Sequence, residues 1–210
     1  MPHTISKTVY YFDELSGNAK EKARDWYRNG ALDYDWWDST YEDAKHVLSL
    51  AGFTVDKIFF SGFSNQGDGA MFEASWDAKD VKPGKLVEEC PQDADLHAIA
   101  SGCESFALTF PNASLSIEQR GRCNHEHCTA FSTDLNIDRD EEGHTPEEWD
   151  EINKKDAEHE EAIEELSRDA MRWIYRQLEK EYDYLNSDEQ VDETIIANEY
   201  EFTDTGRRAT

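Results

Sequence analysis

Residues 53–76 read FTVDKIFFSGF (53–63), SNQGDG (64–69) and AMFEASW (70–76), and this stretch decides the fold class. The outer runs are rich in Phe, Ile, Val and Trp, which suit a pleated, half-buried surface. The segment between them is built of Gly, Asn, Asp and Ser around a single Gln. Gly and Asp accept the positive φ that tight hairpins require, so the pattern predicts two antiparallel strands joined by a turn.

Working outward, SLSIEQR (114–120) and HCTAFSTDLNID (127–138) alternate apolar and polar residues, which predicts a second antiparallel pair. TISKTVYYF (4–12) and TIIANEYEF (194–202) are β-branched and aromatic, and are expected as the first and last strands. Helices fill the intervals. Leu15, Ala19, Ala23, Trp26 and Tyr27 recur at helical spacing, with Gly30 as a stop. A second helix is expected from Asp35 to Ala51, ended by Gly52, and another over 93–107, where Gly102 weakens the pattern.

From Pro146 to about Leu185 the spacing predicts one long helix, with Thr145 as N-cap and Glu147 and Glu148 in its first turn. Its apolar stripe runs from Ile163 to Leu185, whereas 150–161 offers only Ile152 and Ala157, so the first half is expected to face solvent. The fold class is α+β: an antiparallel sheet of about five strands packed against helices, with a long acidic C-terminal helix. Residues 1–140 are expected as an α+β domain, with 141–210 supplying the acidic helix and a final strand on the same domain.

Composition narrows the function. In 210 residues, 47 Asp and Glu stand against 21 Lys and Arg, a net charge of -26 and a pI near 4.4. Residues 138–204 alone hold 25 acids against 7 bases. Such a field repels nucleic acid and anionic membranes and attracts basic surfaces, so direct phosphate binding is excluded. An acidic surface also serves solubility alone. No run approaches the ~20 apolar residues of a membrane span, and the expected location is cytoplasmic. The four cysteines lack CxxC spacing and a secretory context, and read as reduced thiols.

Three constellations bear on chemistry. Cys123-Asn-His-Glu-His-Cys128 is dense in metal-ligating types but fits no strong zinc template. As a strand it would put Cys123, His125 and His127 on one face, with Cys90, Cys103 or His144 as a further ligand; a hairpin with exposed polar groups and a buried small thiol is the favoured reading. Asp134, Asn136, Asp138 and Asp140 alternate like a calcium loop, but Arg139 and Thr145 stand where such a loop needs Gly and Glu. Asp68, in the 64–69 turn, suits either a catalytic carboxylate or the turn's own geometry. No cofactor, metal or catalytic residue is assigned.

Adjacent Trp36 and Trp37 cannot both face inward on one helix, so Trp36 and Tyr34 are candidate exposed contacts.

Tyr10-Tyr-Phe-Asp-Glu-Leu-Ser16, Ala19-Lys-Glu-Lys-Ala23, Trp36-Trp37, Glu42-Asp-Ala44 and above all the segment SGFxxQGDGAxF (61–72) resemble a family of uncharacterised phage and prophage proteins, over about residues 5–135. The resemblance implies a setting, phage-encoded and cytoplasmic, and no catalytic residue. In that setting the acidic helix suggests an anti-defence inhibitor, an anti-CRISPR or anti-restriction protein. It would present Glu147, Glu148, Asp150, Glu151, Glu158, Glu160, Glu161, Glu164 and Glu165 as a DNA mimic to a basic host complex. The alternatives are a metal-dependent hydrolase built on Asp68, His125 and His127, and a phage structural or assembly protein.

Overall fold

The 53–76 hairpin forms the first half of a four-stranded antiparallel meander. A computed structural model describes residues 7–30, 32–137 and 145–209. Strands β2 (Ala51–Phe60), β3 (Ala70–Val81), β4 (Ser114–Gln119) and β5 (Thr129–Asp134) follow one another in order across the sheet. A separate two-stranded sheet pairs β1 (Tyr10–Tyr11) with β6 (Glu201–Phe202). The helices are α1 (Gly17–Arg28), α2 (Asp38–Leu50), α3 (Lys85–Glu89), α4 (Ala94–Thr109), α5 (Pro146–Leu185) and α6 (Asp188–Ala197). The fold is α+β, as expected. No helix among the described residues is long and apolar enough to cross a membrane.

The meander is one-sided. Phe53, Phe72, Ala74, Trp76, Leu115 and Ile117 are buried on one face, while Thr54, Ser75, Ser116 and Ser132 share one register line across the other and are exposed. On the buried face Trp76 meets Phe106 of α4 edge-on at 5.7 Å, and its indole N–H donates to the Ala51 carbonyl at 2.8 Å. Helix α4 runs through Gly102, and there Leu166 of α5 lies where a side chain would be: an added Cβ would come within 2.4 Å of it. The Asp93 carboxylate caps α4 at Leu96 N–H and accepts the Trp173 indole N–H at 2.9 Å, fixing α5 to the same layer.

Several expectations are corrected. Gly52 does not stop a helix. Helix α2 ends at Leu50, and Gly52 sits in β2 at φ 94°, at an irregularity between Ala51 and Phe53 where the Trp76 ring leaves no room for a side chain. The 194–202 segment is not one strand. Ser187 caps α6, Val191 and Ile195 point into a core with Phe12, Ala19 and Ala23, and only Glu201–Phe202 remain extended. The first strand is likewise short among the described residues, since Phe12–Glu14 turn into a 3-10 helix. Residues 123–128 are a turn with a short 3-10 segment, so the alternation expected of a strand does not apply there. Cys123 and Cys128 are joined in a disulfide, with Cα atoms 6.0 Å apart, and are not reduced thiols; the turn brings them together.

The chain divides into two units, Ser39–Leu178 and Met1–Asp38 with Glu179–Thr210. The boundary expected at 140/141 falls inside the larger unit, where Trp173 of α5 donates to Asp93 and Arg168 lies over the Phe131 ring of β5. In the smaller unit Arg24 clamps Asp192 through two hydrogen bonds of 2.6 Å, and Arg28 donates to the Asn186 carbonyl at 3.0 Å, tying α1 to the start of α6.

Candidate functional site

Helix α5 begins with a capping box: Glu148 N–H donates to Thr145 Oγ1, and the Glu148 carboxylate accepts Thr145 N–H at 2.7 Å. This uses the acid that was expected to face a partner. From Pro146 to Ala162 no side chain is buried, and the first buried residue of the helix is Ile163. Glu147, Asp150, Glu151, Glu158 and Glu161 are exposed there, and Glu160 is half-buried.

Glu164 and Glu165 belong to a different environment. Arg168 reaches Glu164 at 3.1 Å and Glu165 at 3.2 Å, and Arg172 reaches Glu165 at 2.6 Å and Asp169 at 2.7 Å. Burial pushes the Glu165 carboxyl up, yet hydrogen bonds from Arg172 and Arg168 outweigh it and hold the group below its usual value. Two of the nine expected acids are thus paired with cations. The i,i+3 and i,i+4 spacing of Glu164, Glu165, Arg168, Asp169 and Arg172 carried that information in the sequence.

Trp36 and Trp37 lie in a turn before α2, which begins at Asp38 and not at Asp35, and the pair divides in the opposite sense to the expectation. Trp36 is the buried one, 7 % exposed and 5.8 Å from the Tyr182 ring, so it is not an exposed contact; Trp37 is half-buried. Tyr34 is exposed, as expected.

At one end of the meander the 61–69 and 120–128 loops meet. Asp68 serves the first of them: its carboxylate accepts the N–H groups of Asn65 at 2.7 Å and Ser64 at 2.9 Å, and these bonds hold it below the usual carboxylate range. The following Gly69 is buried against His125, whose ring would lie 2.8 Å from an added Cβ. Phe63 packs on Tyr175 of α5 at 5.4 Å, and the Tyr175 hydroxyl donates to the Gly62 carbonyl at 3.1 Å. The SGFxxQGDGAxF segment is therefore accounted for by loop geometry.

The second loop is closed by the disulfide and anchored by Asn124, which donates to the Phe60 carbonyl at 3.0 Å and accepts from Gln119 at 3.1 Å. Within it His125 Nδ1 lies 2.9 Å from Glu126 Oε2, the other Glu126 oxygen lies 3.7 Å from Arg172, and the His125 and His127 rings stack at 5.1 Å. Glu126 is almost wholly buried, which nothing in the local sequence signalled. His125, Glu126 and His127 each offer a ligand atom within 4.8 Å of the others. Asp138, Asp140 and His144 lie outside the described residues.

Searches of curated proteins and of solved structures give no match. Residues 36–188 match a family described as "Domain of unknown function (DUF8835)", a segment that holds the whole meander, α5 and its acidic half. The match covers well over half of the sequence, and the chain belongs to that family.

Proposed function

We propose that this protein acts by binding, and that the exposed half of α5 docks on a basic protein surface that otherwise holds nucleic acid. One observation carries the reading: over Pro146–Ala162 nothing is buried, while eight acidic side chains stand against two lysines. Trp149, Ile152, Asp156 and Glu160 are half-buried and the His159 ring meets Phe110 at 4.8 Å, but the segment adds no buried side chain to the core and concentrates one sign of charge at the surface.

Magnitude sets the kind of mimicry. Seventeen helical residues span about 25 Å, and duplex DNA over about 25 Å carries about 15 phosphate charges. With eight acids against two lysines, a net of -6, the helix supplies less than half of that density. It is suited to steering and competition rather than to a phosphate-by-phosphate copy, with Glu147, Asp150, Glu151, Glu158 and Glu161 as its working face. Given the resemblance to phage proteins, the partner we propose is a host nucleic-acid-targeting defence complex of CRISPR–Cas or restriction type.

The test is an affinity capture from bacterial lysate carrying such systems, at low and high salt. It would compare the unaltered protein with the variant combining Glu147→Gln, Asp150→Asn, Glu151→Gln, Glu158→Gln and Glu161→Gln. Retention of a nucleic-acid-binding protein that is displaced by duplex DNA, lost at high salt and absent with the variant supports the reading. Equal retention by both proteins at both salts sinks it.

A further inference from the structure

We infer that His125, Glu126 and His127 form a binding site for a divalent transition-metal ion, at the end of the meander and independent of the acidic first half of α5. The starting point is donor chemistry. Two imidazoles and one carboxylate form a set that suits zinc or nickel and disfavours magnesium or calcium, which prefer all-oxygen shells.

Geometry supports the assignment. Ligand atoms held about 2.0–2.1 Å from one tetrahedral ion stand about 3.3 Å apart; His125 Nδ1 and Glu126 Oε2 stand 2.9 Å apart, and the His127 N–H that Nδ1 accepts at 3.3 Å is the contact the ion replaces. All three ligand atoms lie within 4.8 Å of one another. Two ligands of one ion span at most about 4 Å, so the widest separation closes on binding. His127, the exposed member, is the residue able to swing inward.

The surroundings are those of a held site. The carboxylate is fixed from both sides, with Arg172 near Oε1 and His125 near Oε2. Arg172 does not occupy Oε2, since its other nitrogen is engaged by Glu165 at 2.6 Å and Asp169 at 2.7 Å. The loop itself is closed by Cys123–Cys128, anchored by Asn124 and backed by Gly69. Three protein ligands leave coordination positions open to water or to a partner's side chain.

The experiment is equilibrium dialysis of the full-length oxidised protein against zinc or nickel chloride, with millimolar magnesium present to occupy the acidic surface. Metal is then counted by mass spectrometry and affinity measured by calorimetry. The expected result is one ion per chain, with affinity reduced about 10–100-fold in His127→Ala and in His125→Ala. His46→Ala and His159→Ala should leave it unchanged.

His127→Ala is decisive because the residue is exposed and its loss leaves the fold intact, as circular dichroism would verify. Absence of uptake, or uptake indifferent to His127→Ala and His125→Ala, would overturn the assignment.

Discussion

Burial separates the two thiols that lie outside the disulfide from ordinary cysteines. Cys103, fully enclosed in α4, has its thiol pushed up to about 12 by burial, and Cys90, half-buried, is raised in the same direction by burial first and by neighbouring carboxylates next. Since the thiolate is the nucleophile, iodoacetamide at pH 8 should leave Cys103 unmodified in the folded protein and alkylate it in denaturant. Fast labelling of Cys103 under native conditions would contradict the packing around Trp76. At the same scale, Asp188 is held below its usual range by a hydrogen bond from Arg28, with Arg24 adding to it. A carboxyl whose folded value is depressed stabilises the fold above its unfolded value, near pH 4, and that contribution disappears as pH falls through the folded value. Acid titration of Asp188→Asn should therefore converge with the unaltered protein at the lowest pH and fall below it at neutral pH. Equal thermal stability of the two at pH 7 would show the Arg28 contact to be inconsequential. Arg24, beside it, is only 15 % exposed and makes two short bonds to Asp192, so Arg24→Ala should cost about 1–3 kcal/mol in denaturant unfolding.

Among the elements, β2 carries the sharpest local constraint. Gly52 combines φ 94° with a would-be Cβ 2.8 Å from the Trp76 indole nitrogen. Gly52→Ala should lower stability by about 1–3 kcal/mol from backbone strain alone, with further loss as Trp76 is displaced from the Ala51 carbonyl. A variant with an unchanged melting temperature would mean that the irregularity in β2 is not rigid. The 123–128 disulfide closes a small ring, for which loop-closure entropy is worth about 2 kcal/mol. Reduction should lower the unfolding free energy by no more than that and leave the meander folded. The element boundaries show where sequence reading succeeds. Thr145, Pro146 and Glu148 announced the start of α5 and Leu185 its end because caps and periodicity are local properties. The 194–202 segment was misread because its β-branched residues favour a strand, and only the Ser187 cap together with burial of Val191 and Ile195 makes it helical.

At the scale of the molecule, charge dominates. A net charge of -26 on 210 residues makes the folded chain repel itself, and added salt screens that repulsion. The melting temperature should rise between low ionic strength and about 0.5 M sodium chloride, where the Debye length falls below about 5 Å. A flat response would mean that the acids are already neutralised by pairs such as those of Arg168 and Arg172. The same screening should weaken partner binding, so the two salt responses have opposite signs.

The amino-acid sequence by itself determined the elements and the field: the 53–76 hairpin, the capped 40-residue helix with its solvent-facing first half, and the excess of acid. These follow from periodicity, turn chemistry and composition, all readable within a few residues of one another. The tertiary structure alone decided which residues meet. It buried Trp36 beside Tyr182, gave Glu164 and Glu165 to arginines, spent Asp68 on its own turn and joined Cys123 to Cys128. It also enclosed Glu126 between His125 and Arg172, which are 47 residues apart in sequence. Such meetings depend on the packing of distant segments, where burial and pairing outweigh any local preference, and no local pattern records them.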